Sequence, residues 1–292
     1  IFGREGGNKA PLAIAGSKLK GITYNSPIAS AQVKSAILLA GLYADGVTTV
    51  TEPTVSRDHT ERMLTYFGAN IKREGTKVSI EAGQKLTGRE IIVPGDISSA
   101  AFFMVAALIT DASELTIKNV GINPTRTGII DILKEMGGDL KILNEREISG
   151  EPVGDIIVKS SKLRGIEIKG DVVPRAIDEL PVVAVAAAFA DGTTTIRDAK
   201  ELRVKETDRI GTMAAELRKI GIEVEEREDG MIIKGGRPIG TRDAKSHGDH
   251  RIAMSMAVAG LAGDGEMLVT DTECIDTSFP GFEELIKKVS SK

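Results

Sequence analysis

The sequence contains no tryptophan, and only 3% of its 292 residues are aromatic. Stacking platforms for single-stranded nucleic acid are therefore scarce, and the core must be built from aliphatic side chains. The single cysteine, Cys274, excludes an internal disulfide and a cysteine-based zinc site. The net charge of -4 provides no bulk basic field for nucleic acid or membrane surfaces, so any anion site must be local.

Several familiar motifs are also missing. The sequence has no Walker A loop, no GxGxxG, no HExxH and no EF-hand pattern. Its three histidines, His59, His247 and His250, do not stand at metal-ligand spacing with cysteine. No apolar run is long enough to span a bilayer, and the first seven residues resemble neither a signal nor a transit peptide. We therefore expect no metal, no nucleic-acid partner and no membrane partner.

What the chain does contain is a repeat of roughly 70–80 residues, in the order helix, strand, helix, strand, strand. The first helix of each unit is apolar on nearly all sides, and we expect it to be buried. The second is amphipathic and is followed by a glycine in the first three units, which is typical of a helix end. The apolar helices are predicted at residues 33–42, 100–109, 180–190 and 252–261.

Polar residues precede each apolar helix. They are Ser30 and Gln32; Asp96, Ser98 and Ser99; Asp178 and Glu179; and Asp249, His250 and Arg251. Serine and aspartate are common helix caps, but Gln32, Glu179 and Arg251 exceed what capping needs. If the repeats pack side by side, their helix N-termini would converge and form an anion site in an otherwise acidic protein.

The most charged stretch is Arg203-Val204-Lys205-Glu206-Thr207-Asp208-Arg209, which stands between a predicted strand at 193–196 and a predicted helix at 210–220. If the stretch enters that helix, Lys205, Glu206 and Arg209 share one face, with a carboxylate between two cations. Such a group suits a small polyanionic substrate that also needs a proton donor or acceptor. The alternative interpretation is a solvated helix face with ordinary ion pairs.

Five motifs follow one another along the chain: SAQVKSAILLAGL at 30–42, VSRDHTERML at 55–64, GDISSAAFF at 95–103, RVKETDR at 203–209 and GDHRIAM at 248–254. Together, and in this order, they resemble the 5-enolpyruvylshikimate-3-phosphate (EPSP) synthase family. The resemblance implies a two-lobed inside-out α/β barrel of six repeats, of which four are present here, with substrates bound between the lobes. It also implies transfer of the enolpyruvyl group of phosphoenolpyruvate to the 5-hydroxyl of 3-phosphoshikimate, without a cofactor.

The resemblance implies roles for individual residues. Asp178 would accept the proton of the attacking hydroxyl, and Glu206 would transfer protons. The implied 3-phosphoshikimate ligands are Ser30, Ala31, Gln32, Ser56 (helped by Arg57), Asp178 and Lys205. The implied phosphoenolpyruvate ligands are Gln32, Arg209 and Arg251. The roles of His59 and His250 stay open.

The chain departs from the family pattern because the N-terminal Lys-Ser…Arg and Asn-Ala-Gly-Thr-like motifs are not in it. We therefore interpret it as the C-terminal two-thirds of such an enzyme, with a missing N-terminal segment needed for the full site. Residues 1–92 would be one remaining repeat of the N-terminal lobe, with exposed apolar surface, and residues 93–292 would be the C-terminal lobe. The family also implies a cytoplasmic enzyme that is monomeric when complete.

Three other interpretations stay open from the residues. The related UDP-N-acetylglucosamine enolpyruvyl transferases share the fold and reaction, but RVKETDR and VSRDHTERML are of the shikimate type. A noncatalytic anion-binding module would bind phosphate without turnover. An RNA-end-processing relative of the fold would need a nucleotide site, which the low aromatic content and the negative charge disfavour.

Overall fold

The computed structural model describes residues 1–236 and 242–290. Its packing divides the chain into two compact units, Ile1–Arg89 (unit 1) and Glu90–Lys292 (unit 2). The sequence placed a boundary three residues later, between 92 and 93, and that assignment to lobes stays a prediction. Within the described residues, every helix falls short of the length and apolar character that a membrane crossing requires.

Unit 1 consists of a small hairpin and one mixed sheet with two helices. The hairpin elements are β1 (Phe2–Gly3), α1 (Arg4–Gly7) and β2 (Lys9–Ala13). The remaining elements are β3 (Thr23–Asn25), α2 (Ala31–Gly41), β4 (Val47–Thr51), α3 (His59–Tyr66), β5 (Ile71–Glu74) and β6 (Lys77–Glu81). The sheet order is β3-β4-β6-β5, in which β3 runs parallel to β4 and the other neighbours are antiparallel.

Unit 2 repeats this arrangement. Its first elements are α4 (Ile97–Ile109), β7 (Glu114–Gly121), α5 (Gly128–Glu135), β8 (Asp139–Ile148) and β9 (Glu151–Lys159). The next are β10 (Glu167–Ile168), α6 (Val172–Ala176), α7 (Leu180–Ala188), β11 (Thr193–Ile196), a 3-10 helix (Lys200–Val204), α8 (Arg209–Lys219), β12 (Glu223–Arg227) and β13 (Gly230–Lys234). The last are β14 (Arg242–Lys245), α9 (His250–Ala262), β15 (Met267–Thr270), a 3-10 helix (Thr272–Thr277) and α10 (Phe282–Ser290).

The predicted repeat is present, with one strand that the sequence did not reveal. The sheet order β10-β11-β13-β12 has the same topology as the sheet of unit 1. In both sheets a strand of two or three residues, β3 or β10, precedes the apolar helix and pairs in parallel with the strand after it. The strands β14 and β15 repeat that pairing, and in the second repeat it shrinks to a bridge between Gly95 and Val120. These strands are too short for a periodic pattern to show them.

The apolar first helices are buried in unit 2. Every residue of α7 is buried, as are ten residues of α4 and seven of α9. The second helices, including α5 and α8, bury one face against their sheets, as amphipathic helices do. The predicted stop glycines Gly68, Gly137 and Gly221 all have positive φ, a conformation that glycine adopts without strain at a helix end.

In unit 1 the expectation of a buried first helix is wrong. Only Lys34, Leu38 and Gly41 of α2 are buried, whereas Leu39 is 47% exposed. The buried core of unit 1 comprises six small or aliphatic residues, and no second apolar helix of that unit packs on the outer face of α2. An apolar pattern indicates that a helix can be buried, but burial also requires neighbours to cover it. The predicted exposure of apolar surface in this repeat is therefore observed.

Leu133 on α5 gives a direct test of the core of unit 2, because its side chain is fully buried. We expect Leu133→Ala to lower the free energy of unfolding by roughly 2–5 kcal/mol through lost burial and the cavity left behind. The matched variant Leu143→Ala, at a position that is 45% exposed, should cost less than about 1 kcal/mol. Urea unfolding followed by circular dichroism measures both, and equal costs would contradict the described packing.

Candidate active site

Three apolar helices of unit 2, α4, α7 and α9, begin next to one another. Arg251 in the first turn of α9 donates from Nη1 to the backbone oxygen of Asp178, at 2.9 Å, just before α7. Ser98 in the first turn of α4 donates its hydroxyl to the Glu179 carboxylate. The partial positive ends of three helices therefore lie together, as the polar caps predicted. The head of α2 belongs to unit 1 and is described separately below.

Arg209, the first residue of α8, lies at the centre of this group. Its side chain is 1% exposed, and Nε contacts Asp249 Oδ2 at 2.8 Å. Nη2 lies 2.5 Å from Glu206 Oε2 and 3.3 Å from Asp249 Oδ1, and Nη1 lies 3.6 Å from Asp178 Oδ1. One buried guanidinium thus joins the start of α8 to the residues that precede α7 and α9. Such planar, multidentate pairing is a property of arginine that lysine lacks.

The predicted helical face of the RVKETDR stretch is wrong. Residues 205–208 are not helical, and α8 begins only at Arg209. Asp208 is the cap: its carboxylate accepts a hydrogen bond from the Gly211 amide at 3.1 Å. Because aspartate competes for the free amides of a first turn, it begins a new helix rather than continuing an earlier one. Glu206 and Arg209 still meet, but as an ion pair across the cap.

Lys205 has different partners from those that the predicted helical face implied. Its ammonium lies 2.6 Å from Glu201 Oε1 and 3.9 Å from Asp178 Oδ1, and its side chain is partly exposed. Asp178 Oδ1 therefore lies near two cations, Lys205 at 3.9 Å and Arg209 at 3.6 Å. A carboxylate placed in this way is a candidate general base.

Arg203, in contrast, has a structural position. Nε and Nη2 donate to the backbone oxygens of Glu228 and Arg227 at 2.8 and 2.6 Å, and Nη1 binds Asp208 at 2.6 Å. Arg203 thus ties the loop that carries Glu206 to the β12–β13 hairpin. The first charge of the motif therefore fixes the backbone, while Glu206 and Arg209 pair with each other.

A second buried network was not identified from the sequence. The Glu179 carboxylate is fully buried and lies 3.8 Å from Arg126 and 3.9 Å from Arg251. Arg126 also donates to the Ser98 hydroxyl at 2.5 Å. Glu179 therefore joins the start of α7 to the first turns of α4 and α9. The sequence shows Glu179 as a polar residue that helix capping does not require. Its partner Arg126 stands in the loop before α5, where no local sequence pattern marks it.

The two buried carboxylates have opposite pKa shifts. Burial raises the pKa of the Glu179 carboxyl above its ordinary 4.5, against the opposing charge of Arg126 and the Ser98 hydrogen bond. Burial would also raise the pKa of Asp249, but the hydrogen bond and charge of Arg209 outweigh it and hold that pKa below 3.8. Asp249 is thus a firm anionic partner for Arg209, whereas Glu179 is the carboxyl that resists ionisation.

His250 is the first residue of α9, and the sequence alone assigns it no role. Burial and, secondly, the charge of Arg251 lower the pKa of its imidazole below 6.5, so the ring is neutral at neutral pH. A neutral ring can position a ligand by hydrogen bonding but adds no positive charge. Among the described residues, no group of three or more His, Cys, Asp or Glu side chains is arranged to hold a metal ion.

Unit 1 carries the other candidate residues. Ser30 caps α2 by accepting from the Val33 amide at 3.4 Å, Ala31 begins the helix, and Gln32 is exposed in its first turn. Ser56 is buried, and within residues 1–236 and 242–290 its hydroxyl has no hydrogen-bond partner. Helix amides, an amide side chain and an unpaired hydroxyl are all groups that can bind an anion.

The opposite pKa shifts predict opposite pH dependences of stability. Asp249 stabilises the fold above pH 3.8, and that contribution is lost as the pH falls through its lower folded pKa. Asp249→Asn should therefore cost about 3 kcal/mol at neutral pH, by leaving Arg209 without its main partner, and the cost should shrink in acid. Glu179 takes up a proton on folding above pH 4.5, so stability falls as the pH rises through its raised folded pKa.

The matched variant Glu179→Gln removes that loss, and its stability relative to the unaltered chain should increase with pH. Denaturant unfolding of both variants between pH 3 and 8 measures the two slopes. Slopes of the same sign would contradict the assignment of an ionised Asp249 and a protonation-prone Glu179.

Comparison with known proteins places these features in one family. The family model described as EPSP synthase (3-phosphoshikimate 1-carboxyvinyltransferase) matches residues 1–286. The chain is 64% identical over 292 residues to the 3-phosphoshikimate 1-carboxyvinyltransferase of Geobacter metallireducens, covering all of this chain and 68% of the relative. It is 65% identical over 290 residues to that of Geotalea daltonii, covering 99% of this chain and 68% of the relative.

Solved structures agree with this result. Two structures of EPSP synthase from Acinetobacter baumannii match with TM-scores of 0.88 and 0.89 at 53% and 51% identity. They cover 93% and 99% of this chain, which spans 63% and 66% of theirs. The enolpyruvyl transferase NikO from Streptomyces tendae matches in fold, with a TM-score of 0.68 at 21% identity, over 86% of this chain and 57% of that one. The predicted fold class is confirmed, and the chain belongs to the EPSP synthase family of enolpyruvyl-transferring enzymes.

Proposed function

We propose that this chain supplies the Asp178, Glu206 and Arg209 part of a site that transfers the enolpyruvyl group of phosphoenolpyruvate to 3-phosphoshikimate. The observation that carries the proposal is the buried Arg209, with Asp178 and Glu206 on its two terminal nitrogens. The chain spans about two thirds of the length of its relatives, so the complete reaction requires what the remaining third of a family member contributes.

Asp178 is the base in this proposal. The 5-hydroxyl of the acceptor adds to C2 of phosphoenolpyruvate while its proton passes to Asp178 and the methylene carbon gains a proton. Phosphate then leaves as its C–O bond breaks, the methyl group loses a proton, and the enol ether remains. The cations Lys205 and Arg209 lie 3.9 and 3.6 Å from Asp178 Oδ1, and this carboxylate would accept the proton in the first step.

Glu206 is the proton donor, and its ion pair explains how that role is reached. Its carboxylate is half-exposed and paired with Arg209 at 2.5 Å. The carboxylate or phosphate of phosphoenolpyruvate would replace Glu206 on Arg209 Nη2. Glu206 would then be released from Arg209 and free to face the methylene carbon, to which a carboxyl group can deliver a proton. Substrate binding would thus uncouple the proton donor from its structural partner.

The remaining candidate residues are assigned to one substrate or to both. Arg251, held by the Asp178 backbone oxygen at 2.9 Å, has a guanidinium suited to a second hold on phosphoenolpyruvate, and Gln32 is assigned to both substrates. Lys205 and, in unit 1, the set Ser30, Ala31, Gln32 and Ser56 with Arg57 are assigned to 3-phosphoshikimate. The resemblance of the motifs also supports a cytoplasmic enzyme that is monomeric when complete. The 62–65% identity to curated 3-phosphoshikimate 1-carboxyvinyltransferases favours the shikimate acceptor over a nucleotide sugar.

The base assignment gives a test by substitution. Asp178→Asn should lower turnover by roughly 10²–10⁴-fold, because the hydroxyl loses its proton acceptor, while binding of 3-phosphoshikimate changes little. Phosphate release measures turnover, with the chain combined with a separately produced fragment of a family member that covers the remaining length. Calorimetry measures binding.

Asp171→Asn, at an exposed position before α6, is the matched control and should be without effect. Near-normal turnover of Asp178→Asn would refute the base assignment. Phosphate release with UDP-N-acetylglucosamine but not with 3-phosphoshikimate would identify the other enolpyruvyl acceptor. A folded mixture that binds phosphate but turns over neither acceptor would support the noncatalytic alternative.

A further inference from the structure

Unit 1 contains a buried ion triad that none of the assigned roles uses. The Lys34 ammonium lies 2.9 Å from Glu52 Oε2 and 2.9 Å from Glu61 Oε1. All three side chains are at most 2% exposed. A lysine and two glutamates are rarely buried in a small domain, because removing each charge from water is costly.

The position of the triad relates it to the candidate acceptor site. Lys34 stands in α2, one turn after Ser30, which caps that helix. Glu52 directly follows β4, and Glu61 lies in α3, so the two carboxylates bracket the segment that carries Ser56. Lys34 Nζ also lies 3.5 Å from the Ser56 backbone oxygen. One cation therefore fixes both the start of α2 and the two ends of the Ser56 segment.

Stability alone is a poor explanation for this arrangement. Replacing a buried ion triad by well-packed hydrophobic side chains of similar volume is often neutral or stabilising, because the desolvation cost disappears. What a triad does specify is geometry, since each charge has a defined partner at a defined distance. In unit 1, where the hydrophobic core comprises six small or aliphatic residues, the triad adds buried contacts between α2 and both ends of the Ser56 segment, beside the hydrogen bond of Ser35 to Thr60 at 2.7 Å.

Three buried oxygens of the triad glutamates and of Ser56 have no hydrogen-bond partner among the described residues. They are Glu52 Oε1, Glu61 Oε2 and the hydroxyl of Ser56. The Ser56 backbone oxygen lies 3.5 Å from Lys34 Nζ, and the hydroxyl of the same residue has its bonding capacity unused. A hydroxyl in that condition gains most when a ligand oxygen accepts its proton.

We propose that Lys34 is a positioning residue for the acceptor-phosphate site, acting through Glu52 and Glu61 to hold Ser56 and the first turn of α2 in place. The proposal rests on the proposed function for the identity of the ligand. The ligand chemistry is a phosphate monoester on a small polyol. Lys34 itself, being buried, does not contact the ligand.

The test removes all three charges together. In the variant Lys34→Met/Glu52→Gln/Glu61→Gln, the packing volume is kept but the ionic link is lost. We expect its dissociation constant for 3-phosphoshikimate, measured by calorimetry on the whole chain, to rise about tenfold or more, because loosely held groups bind poorly. Glu74→Gln, an exposed glutamate of unit 1, is the matched control and should bind as the unaltered chain does. Unchanged binding by the triple variant would overturn the proposal.

Amide hydrogen exchange without ligand separates this proposal from the proposed function. The triple variant should speed exchange by about tenfold at residues 30–34 and 54–58, but not in the β5–β6 hairpin. Equal acceleration in the hairpin would mean that the triad only stabilises unit 1, and no acceleration would mean that it positions nothing. Failure of the unaltered chain to bind 3-phosphoshikimate would count against the proposed function, while the exchange pattern still decides the role of Lys34.

If the triple variant does not fold, Glu61→Asp replaces it. That change keeps every charge but shortens the side chain at position 61 by one methylene group, which moves its carboxylate away from Lys34. The same selective increase in exchange at residues 54–58 is expected, but with a smaller magnitude. An exchange pattern identical to that of the unaltered chain would contradict the proposal.

Discussion

The pairing of Arg209 with Asp249 is the interaction on which the candidate site of unit 2 depends. A guanidinium that is 1% exposed can persist only if its charge is compensated, and Asp249 does so from the cap of α9. Asp249 binds Nε at 2.8 Å and approaches Nη2 at 3.3 Å, while Nη2 also contacts Glu206 and Nη1 lies near Asp178. Arg209 is therefore held in place by Asp249 and also contacts both carboxylates proposed for proton transfer, Asp178 and Glu206.

The helix heads provide the second constraint. In unit 2 the repeat places α4, α7 and α9 side by side, so their caps must share one small volume with buried charges. Glu179 resolves that crowding by joining Ser98, Arg126 and Arg251. In unit 1 the repeat has one apolar helix, and the Lys34 triad links α2 to Glu52, which directly follows β4, and to Glu61 in α3. Both units therefore use a buried ionic cluster next to a helix start.

Much of this could be predicted from sequence, because the signals were local. Caps such as Asp96 and Asp249, stop glycines and a period of apolar helices define the repeat, and five motifs identify the family. The helical face proposed for 203–209 failed because Asp208 begins a helix of its own. Burial of α2 failed because burial depends on neighbours, and Arg126 was missed because its partner Glu179 lies 53 residues away.

The measurement that tests the account most directly follows the guanidinium nitrogens of Arg209 and Arg251 by NMR during titration with phosphoenolpyruvate. If Arg209 exchanges Glu206 for the substrate, both its Nη signals and the Glu206 carboxylate carbon should shift, while the Nε signal bound to Asp249 stays nearly constant. Shifts confined to other arginines, with the Arg209 and Glu206 signals unchanged at saturation, would contradict the central role given to this side chain.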